Sequence, residues 1–413
     1  MQNTNSTQIW EADPIVSLVS VSNEINILDN TSLIAASGLS IGDKLLCPRY
    51  SDGGELIDGL FYTIVAGGTG TADGGSFFDL DNGNQARLIK PIKIRSKQFG
   101  ARGDDSTLDT IAFQNFLNMG GSLYVDAGTY VVEPLAVQSN TEITFSPDAI
   151  MTETGTYIWS DCVLNLDNVE DVTINGNNSL IFMLRDDYPL QEVINGVLRN
   201  SEFRHGLKIY GSSDVVVNNM RSFNCGGDGF IVGGNDVCER VTLNDCYASN
   251  NRRQGLSITN AIGCWVNGGE YSNTNGLPPE RGIDVEPNAT VGYFMQNIHI
   301  NGVTTRNNVG GSVLVAPNFA VGVTIASSVY VTKVTSIDDG AVSGLSFSAI
   351  AAGLNISDNT GGEIIFEDCI AINSKGCGFG VNRWHNKCPK LIFRRPIVVN
   401  CAVAPPSNLT QFR

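Results

Sequence analysis

A glycine followed by an apolar, a variable and an apolar residue recurs, with small variations, through the second half of this chain. It reads Gly206-Leu-Lys-Ile, Gly229-Phe-Ile-Val, Gly255-Leu-Ser-Ile, Gly282-Ile-Asp-Val, Gly311-Ser-Val-Leu, Gly344-Leu-Ser-Phe and Gly378-Phe-Gly-Val, at spacings of 23, 26, 27, 29, 33 and 34 residues. Asn224, Asn250 and Asn373 each stand five positions before one of these glycines, and a second apolar strand precedes the glycine at 215–217, 241–243, 298–300 and 364–366. Each unit is two or three short strands between turns, too small to bury its own apolar face, so it is stable only when stacked. Stacking equivalent strands in register gives a parallel β-solenoid with coils about 4.8 Å apart, inward aliphatic columns and asparagines at the bends bonded to the neighbouring coil. A propeller would need more even blades of four strands each.

Composition agrees with a turn-rich all-β chain. Of 413 residues 45 are Gly and only 16% are charged, so polar groups are tied down locally. The 42 acids against 26 bases leave a net charge of -16, which argues against a nucleic-acid partner. No apolar run reaches the ~18 residues of a membrane-spanning helix, so no membrane insertion is expected. Residues 1–13 carry neither a basic nor an apolar leader segment, which predicts a protein made and kept in a cytoplasm. Ten cysteines without a CxxC pair, Cys225, Cys238, Cys246 and Cys264 among them, and three scattered histidines (His205, His299, His385) predict buried thiols rather than a zinc site. No metal or cofactor is expected.

Residues 1–93 have their own turn punctuation and an alternating stretch at 22–28, and they form a small β-rich module. The glycine-dense 67–75 loop lacks the Lys-Ser/Thr pair and following helix of a nucleotide cradle and reads as hairpin turns. The one convincing helix follows, capped by Asp105 or Ser106, with Ile111, Phe113, Phe116 and Leu117 as its apolar face, placed to cover the open first coil. The acids Asp104, Asp105 and Asp109 favour its N-terminal dipole without any metal. The expected organisation is a module at 1–93, a solenoid at 94–401 and a tail at 402–413.

The segment Phe99-Gly-Ala-Arg-Gly-Asp-Asp-Ser-Thr-Leu-Asp-Thr, followed by Gly121-Ser-Leu-Tyr-Val-Asp-Ala-Gly-Thr-Tyr, resembles the opening of the pectate-lyase-like right-handed parallel β-helix of bacteriophage tailspikes and tail-fibre depolymerases. The stretch 62–89 is similar to a short module that often precedes that opening in phage tail proteins. Asn251-Arg-Arg-Gln-Gly-Leu-Ser-Ile and Gly282-Ile-Asp-Val-Glu-Pro-Asn are similar to segments of polysaccharide-cleaving β-helix proteins. The resemblance covers roughly residues 60–400. It implies a homotrimeric virion spike, assembled in the host cytoplasm and joined to phage tail, baseplate or portal proteins through its N-terminal module. Such a spike binds and usually cleaves a bacterial surface polysaccharide, capsule or O-antigen. Many tailspikes carry a further C-terminal trimerisation or carbohydrate domain, whereas only 402–413 follow the last coil here.

In Gly282-Ile-Asp-Val-Glu-Pro the alternation sends Ile283 and Val285 inward and Asp284 and Glu286 outward on one face, their Cα atoms about 6–7 Å apart. Two carboxylates so placed are what glycoside hydrolysis requires, and their repulsion splits them into an acid and a base or nucleophile. Aligned on the glycines, the Asp284 column reads Lys208, Ile231, Ser257, Asp284, Val313, and the column before the glycine reads His205, Asp228, Gln254, Arg281, Gly310. The Glu286 column reads Tyr210, Gly233, Thr259, Glu286, Val315. Polar groups thus gather over coils 206–286 as the floor of a groove. Asp228 is a third acid, about 13–14 Å from Asp284. Arg252, Arg253 and Arg281 lead into the face and suit an anionic glycan. The rival for Asp284 is a plain ion pair with Arg281 or Arg253, and for Arg252 and Arg253 the buttressing of a turn. Three functions compete: an endo-glycosidase using Asp284 and Glu286, a lyase in which an arginine neutralises a uronate while Lys208, Tyr210 or His205 takes the proton, and a non-catalytic adhesin.

Overall fold

The structure, a computed structural model, describes residues 24–26, 29–35, 38–50, 57, 61–89, 91, 93–287, 293–316, 326–340, 343–348, 362–382 and 389–401. The chain divides into two compact units, Met1–Lys90 and Pro91–Arg413. The expected tail at 402–413 lies outside the described residues.

The first unit is a five-stranded sheet with the short helix Asn30–Ala35, which the sequence reading missed. Of the strand expected at 22–28, Glu24–Asn26 is described, and it pairs in parallel with Lys44–Leu46. The 67–75 loop connects Phe61–Val65 to Phe77–Asp79, where the Asp73 carboxylate accepts from the backbone N–H groups of Gly75, Ser76 and Phe77. Leu33, Leu45, Tyr62, Ile64 and Ala86 form its core.

The second unit is a parallel β-helix of three sheets. Sheet 1 runs from Ile94–Arg95 to Lys390–Arg394 and sheet 2 from Asp104–Leu108 to Ile397–Val399, each with eleven strands among the described residues. Sheet 3 runs from Leu135–Ala136 to Cys377–Asn382 with nine. Every pairing within these sheets is parallel to the next coil, and the apolar alternation becomes columns. Val172, Val215, Val241, Cys264, Ile298, Val329, Ile364 and Leu391 follow one another in register, all buried. Each such aliphatic residue contributes roughly 1.5–3 kcal/mol on burial. The nine described cysteines are free thiols, seven of them buried.

Asparagine has two uses at the bends. Asn224, Asn250 and Asn373 take φ of 58°, 55° and 54°, the left-handed turn that asparagine tolerates better than most residues. The amides of Asn224 and Asn250 also chain from coil to coil, Asn250 Nδ2 donating to Asn224 Oδ1 at 2.8 Å and Asn275 Nδ2 to Asn250 Oδ1 at 3.2 Å.

The capping helix spans Thr110–Leu117, and its start differs from expectation. Asp105 and Ser106 belong to the strand Asp104–Leu108, and Asp109 stands at the N-cap without capping through its side chain. That carboxylate accepts instead from the N–H groups of Arg102 (2.7 Å) and Gly103 (2.9 Å), pinning the preceding loop. Phe113, Phe116 and Leu117 cover the first coil, with the Phe113 ring 5.1 Å from that of Tyr130. Ile111, expected on the same face, is 78% exposed because it stands two residues from Phe113, which at 3.6 residues per turn puts it on the opposite side of the helix.

Candidate functional site

The expected acids lie on sheet 3, at and beside the strands Phe230–Gly233, Leu256–Ile258 and Arg281–Val285. Ser257 pairs with Asp284 and Leu256 with Ile283, so Asp284 turns away from the core that Ile283 and Val285 enter. Its column reads Lys208, Ile231, Ser257, Asp284 and then Leu314. The expected Val313 is wrong by one position, because Arg281 pairs with Gly311. Ser312, rather than the second glycine of Gly310-Gly311, occupies the repeat glycine's place. The column of Asp228, Gln254 and Arg281 therefore continues to Gly311 and not Gly310. Val315 pairs with Val285 and does not continue the Glu286 column.

These side chains are not a solvated groove floor. Asp228 is fully buried and Asp284 3% exposed, while Glu286, Arg253 and Arg281 are half-buried. Gln254 joins the coils: its Nε2 donates to Asp284 Oδ2 at 2.9 Å and its Oε1 accepts from the Arg281 N–H at 2.7 Å. Asp284 Oδ1 has no hydrogen-bond partner among the described residues. Burial, reinforced by the nearby Glu286 charge, pushes the Asp284 carboxyl up to about 8, against the pull of Arg253 and Arg281. Burial also raises Asp228, to about 6, with Arg253 and the Ser257 hydroxyl opposing and Glu202 adding to the rise.

Arg253 links the acids. Its Nη1 lies 3.5 Å from Asp228 Oδ2 and its Nε 3.5 Å from Glu202 Oε2. Burial disfavours its charge, but Asp228, Glu202, Asp284 and Glu286 outweigh that and hold it protonated.

Glu202 was missed by the repeat analysis because it lies in residues 183–206, which interrupt the repeat. The signal was present: Leu164 and Leu207 pair on adjacent coils 43 positions apart, whereas Leu207 and Phe230 are separated by 23. Gly227 admits this segment, since a Cβ there would stand 2.5 Å from the Glu202 carbonyl oxygen.

Arg252 does not join the site. Its guanidinium donates to the carbonyls of Pro189 (3.0 Å), Tyr188 (2.8 Å) and Arg185, so it buttresses the inserted segment. Arg204 does the same through the Tyr157 carbonyl at 2.9 Å and an ion pair with Glu192. Lys208 sits 3.0 Å from Asp167 and over the Tyr210 ring. Burial raises the Tyr210 hydroxyl pKa and disfavours its anion. His205 is buried, and its Nδ1 accepts the Asp228 N–H at 2.9 Å, which leaves the ring proton on Nε2. Burial, with Arg253 and Lys208 nearby, lowers its pKa to about 3, so the ring is neutral.

No protein-family model matches the chain. Its fold is similar to that of a tailspike protein, a capsular polysaccharide depolymerase, from an Acinetobacter baumannii bacteriophage. The TM-score is 0.59 at 14% identity, covering 92% of this chain and 76% of that one. Tailspike protein 2 of an Escherichia coli O157:H7 bacteriophage aligns with a TM-score of 0.49 at 13% identity, over 86% of this chain and 47% of that one. In sequence the chain is 24% identical over 225 residues to the uncharacterized protein YclG of Bacillus subtilis, 47% of this chain and 38% of that protein. The chain thus spans less than two fifths of the length of that curated relative. At these identities the likeness establishes the fold, an all-β parallel β-helix.

Proposed function

We propose that this protein is a phage tailspike that binds and cleaves a bacterial surface polysaccharide as a glycoside hydrolase, with Asp284 as the proton donor. One observation carries the reading: a buried aspartic acid, raised to about 8 and with one carboxyl oxygen unsatisfied, shares its face with a second carboxylate. A carboxyl that keeps its proton at neutral pH protonates the leaving glycosidic oxygen, and an ionised partner activates water or attacks the anomeric carbon. Glu286 and Asp228 are the two candidates for that partner, and Arg253 keeps Asp228 charged more than its burial alone would allow.

The lyase reading is less well supported. His205 presents a proton at Nε2 rather than a lone pair, Lys208 is paired with Asp167, and burial disfavours the Tyr210 anion. The fold resembles that of a tailspike described as a capsular polysaccharide depolymerase. In the same reading the protein is a homotrimer in the virion, attached to tail, baseplate or portal proteins through its N-terminal module after assembly in the host cytoplasm. Incubating the protein with capsular polysaccharide and lipopolysaccharide of candidate hosts and sizing the products tests the activity. Shortened chains with new reducing ends and no ultraviolet-absorbing double bond are expected. An unsaturated product sinks the hydrolase.

A further inference from the structure

We infer that the sugar ring seated at the acid cluster is uncharged, a neutral ring carrying hydroxyl or acetamido groups rather than a uronate. This rests on the depolymerase reading above and narrows it to a substrate class.

The first ground is the engagement of every basic side chain expected at this face. Arg253 lies between Asp228 and Glu202, at 3.5 Å from each. Lys208 is held by Asp167 at 3.0 Å. Arg252 points into backbone carbonyls, and Arg281 has partners within the chain. A uronate would have to displace an acid of the protein from its cation, exchanging one carboxylate contact for another and leaving the displaced acid unpaired.

The second ground is local charge. Asp167, Glu202, Asp228, Asp284 and Glu286 are five acids against three cations, Lys208, Arg253 and Arg281. Even with one acid protonated the balance is four to three, and the chain as a whole carries -16. Another carboxylate entering there meets repulsion.

The third ground is the kind of atom left over. Among the described residues the buried atoms without a hydrogen bond are of both kinds, including the donors His205 Nε2 and Arg253 Nε, the Ser257 hydroxyl, and the carboxyl oxygens Asp228 Oδ1, Asp228 Oδ2 and Asp284 Oδ1. A sugar hydroxyl both donates and accepts and can satisfy atoms of either kind, whereas a carboxylate can only accept.

The test uses full-length Asp284→Asn protein, expected to bind without cutting, on an array of bacterial capsular and O-antigen polysaccharides. The array holds two sets, one of neutral repeat units and one bearing uronates. Binding is expected in the neutral set, changing less than about twofold between low and high salt because no exposed ion pair with the glycan is made. Binding confined to the uronate set and falling about tenfold or more over that range overturns the inference while leaving the depolymerase reading intact. Binding to neither set overturns the depolymerase reading and the inference with it.

Discussion

Two aspartates of this solenoid are equally hidden from water and differ in how their burial is compensated. Asp339, fully buried, accepts from Thr305 Oγ1 at 2.6 Å, from the Asn308 N–H at 2.8 Å and its Nδ2 at 2.9 Å, and from Ser336 Oγ at 2.8 Å. Asp284 accepts from Gln254 alone among its hydrogen bonds in the described residues, and its Oδ1 has no partner. Burial raises both carboxyls. Around Asp339 four hydrogen bonds resist the rise, whereas around Asp284 the nearby Glu286 strengthens it and Arg253 and Arg281 resist. The first arrangement locks neighbouring coils together. The second leaves a carboxyl incompletely satisfied where folding alone would not favour it, which supports the proposed role of Asp284 as proton donor.

The comparison is broken most easily at Asp284. Asp284→Asn keeps the shape of the side chain and can still accept from Gln254, but it cannot deliver a proton. Cleavage, followed by reducing-end release, should fall about 10³-fold while the melting temperature stays level or rises. An active Asp284→Asn protein would place the chemistry elsewhere. Asp339→Ala should do the reverse. It leaves the Asn308 amide and two hydroxyls without their acceptor, costs about 3 kcal/mol in denaturant unfolding, and leaves the activity of the folded fraction unchanged.

Titration separates the acids of the site less drastically. In the proposed mechanism Asp284 acts protonated and a partner carboxylate acts ionised, so kcat/KM should decline about tenfold per pH unit above about 8. If Asp228 is that partner, it should decline similarly below about 6. A profile with its acid limb unmoved in Asp228→Asn would leave Glu286 as the base. Stability has its own sign. The folded state holds the Asp284 proton up to about 8, while the unfolded chain releases it near the ordinary carboxyl value of about 4. The folded form therefore binds the extra proton across that window, and stability falls as pH rises through it. Asp284→Asn should flatten that slope.

The scaffold was far more legible in the sequence than the site. Inward columns such as Val215, Val241 and Ile298 declare themselves by alternation, and the left-handed bends at Asn224, Asn250 and Asn373 by residue type, because both recur at every coil. Asp284 declares itself by the alternation that sets it beside Glu286, and Asp228 by a column that stays polar over successive coils. Glu202 does not, since it sits in a segment with no counterpart on other coils, and only the 43-residue gap between Leu164 and Leu207 announces that segment. Adjacency in sequence places Arg252 beside Arg253, but adjacency in sequence does not make the two side chains neighbours in space. Successive residues on a turn diverge, and Arg252 and Arg253 face opposite duties. Burial itself was invisible, because strand alternation distinguishes core from outer face and says nothing of what folds over the outer face.

The smallest effect belongs to a polar group that is satisfied yet near the surface. Asn250 combines a left-handed φ of 55° with side-chain bonds to Asn224 at 2.8 Å and from Asn275 at 3.2 Å. Asn250→Ala loses these two bonds and a third that Oδ1 accepts from Arg185 Nη1 at 3.3 Å, and places a Cβ in a conformation that disfavours it, for a total of about 2 kcal/mol. Asn250→Gly loses the same bonds but relieves the backbone, so about 1 kcal/mol should return. Equal costs in urea unfolding would assign the whole effect to the amide ladder. A full recovery in glycine would assign it to the turn. Neither variant should alter cleavage, because what the solenoid requires of Asn250, as of Asp339, is complete satisfaction in place, whereas the role proposed for Asp284 rests on the bond it lacks.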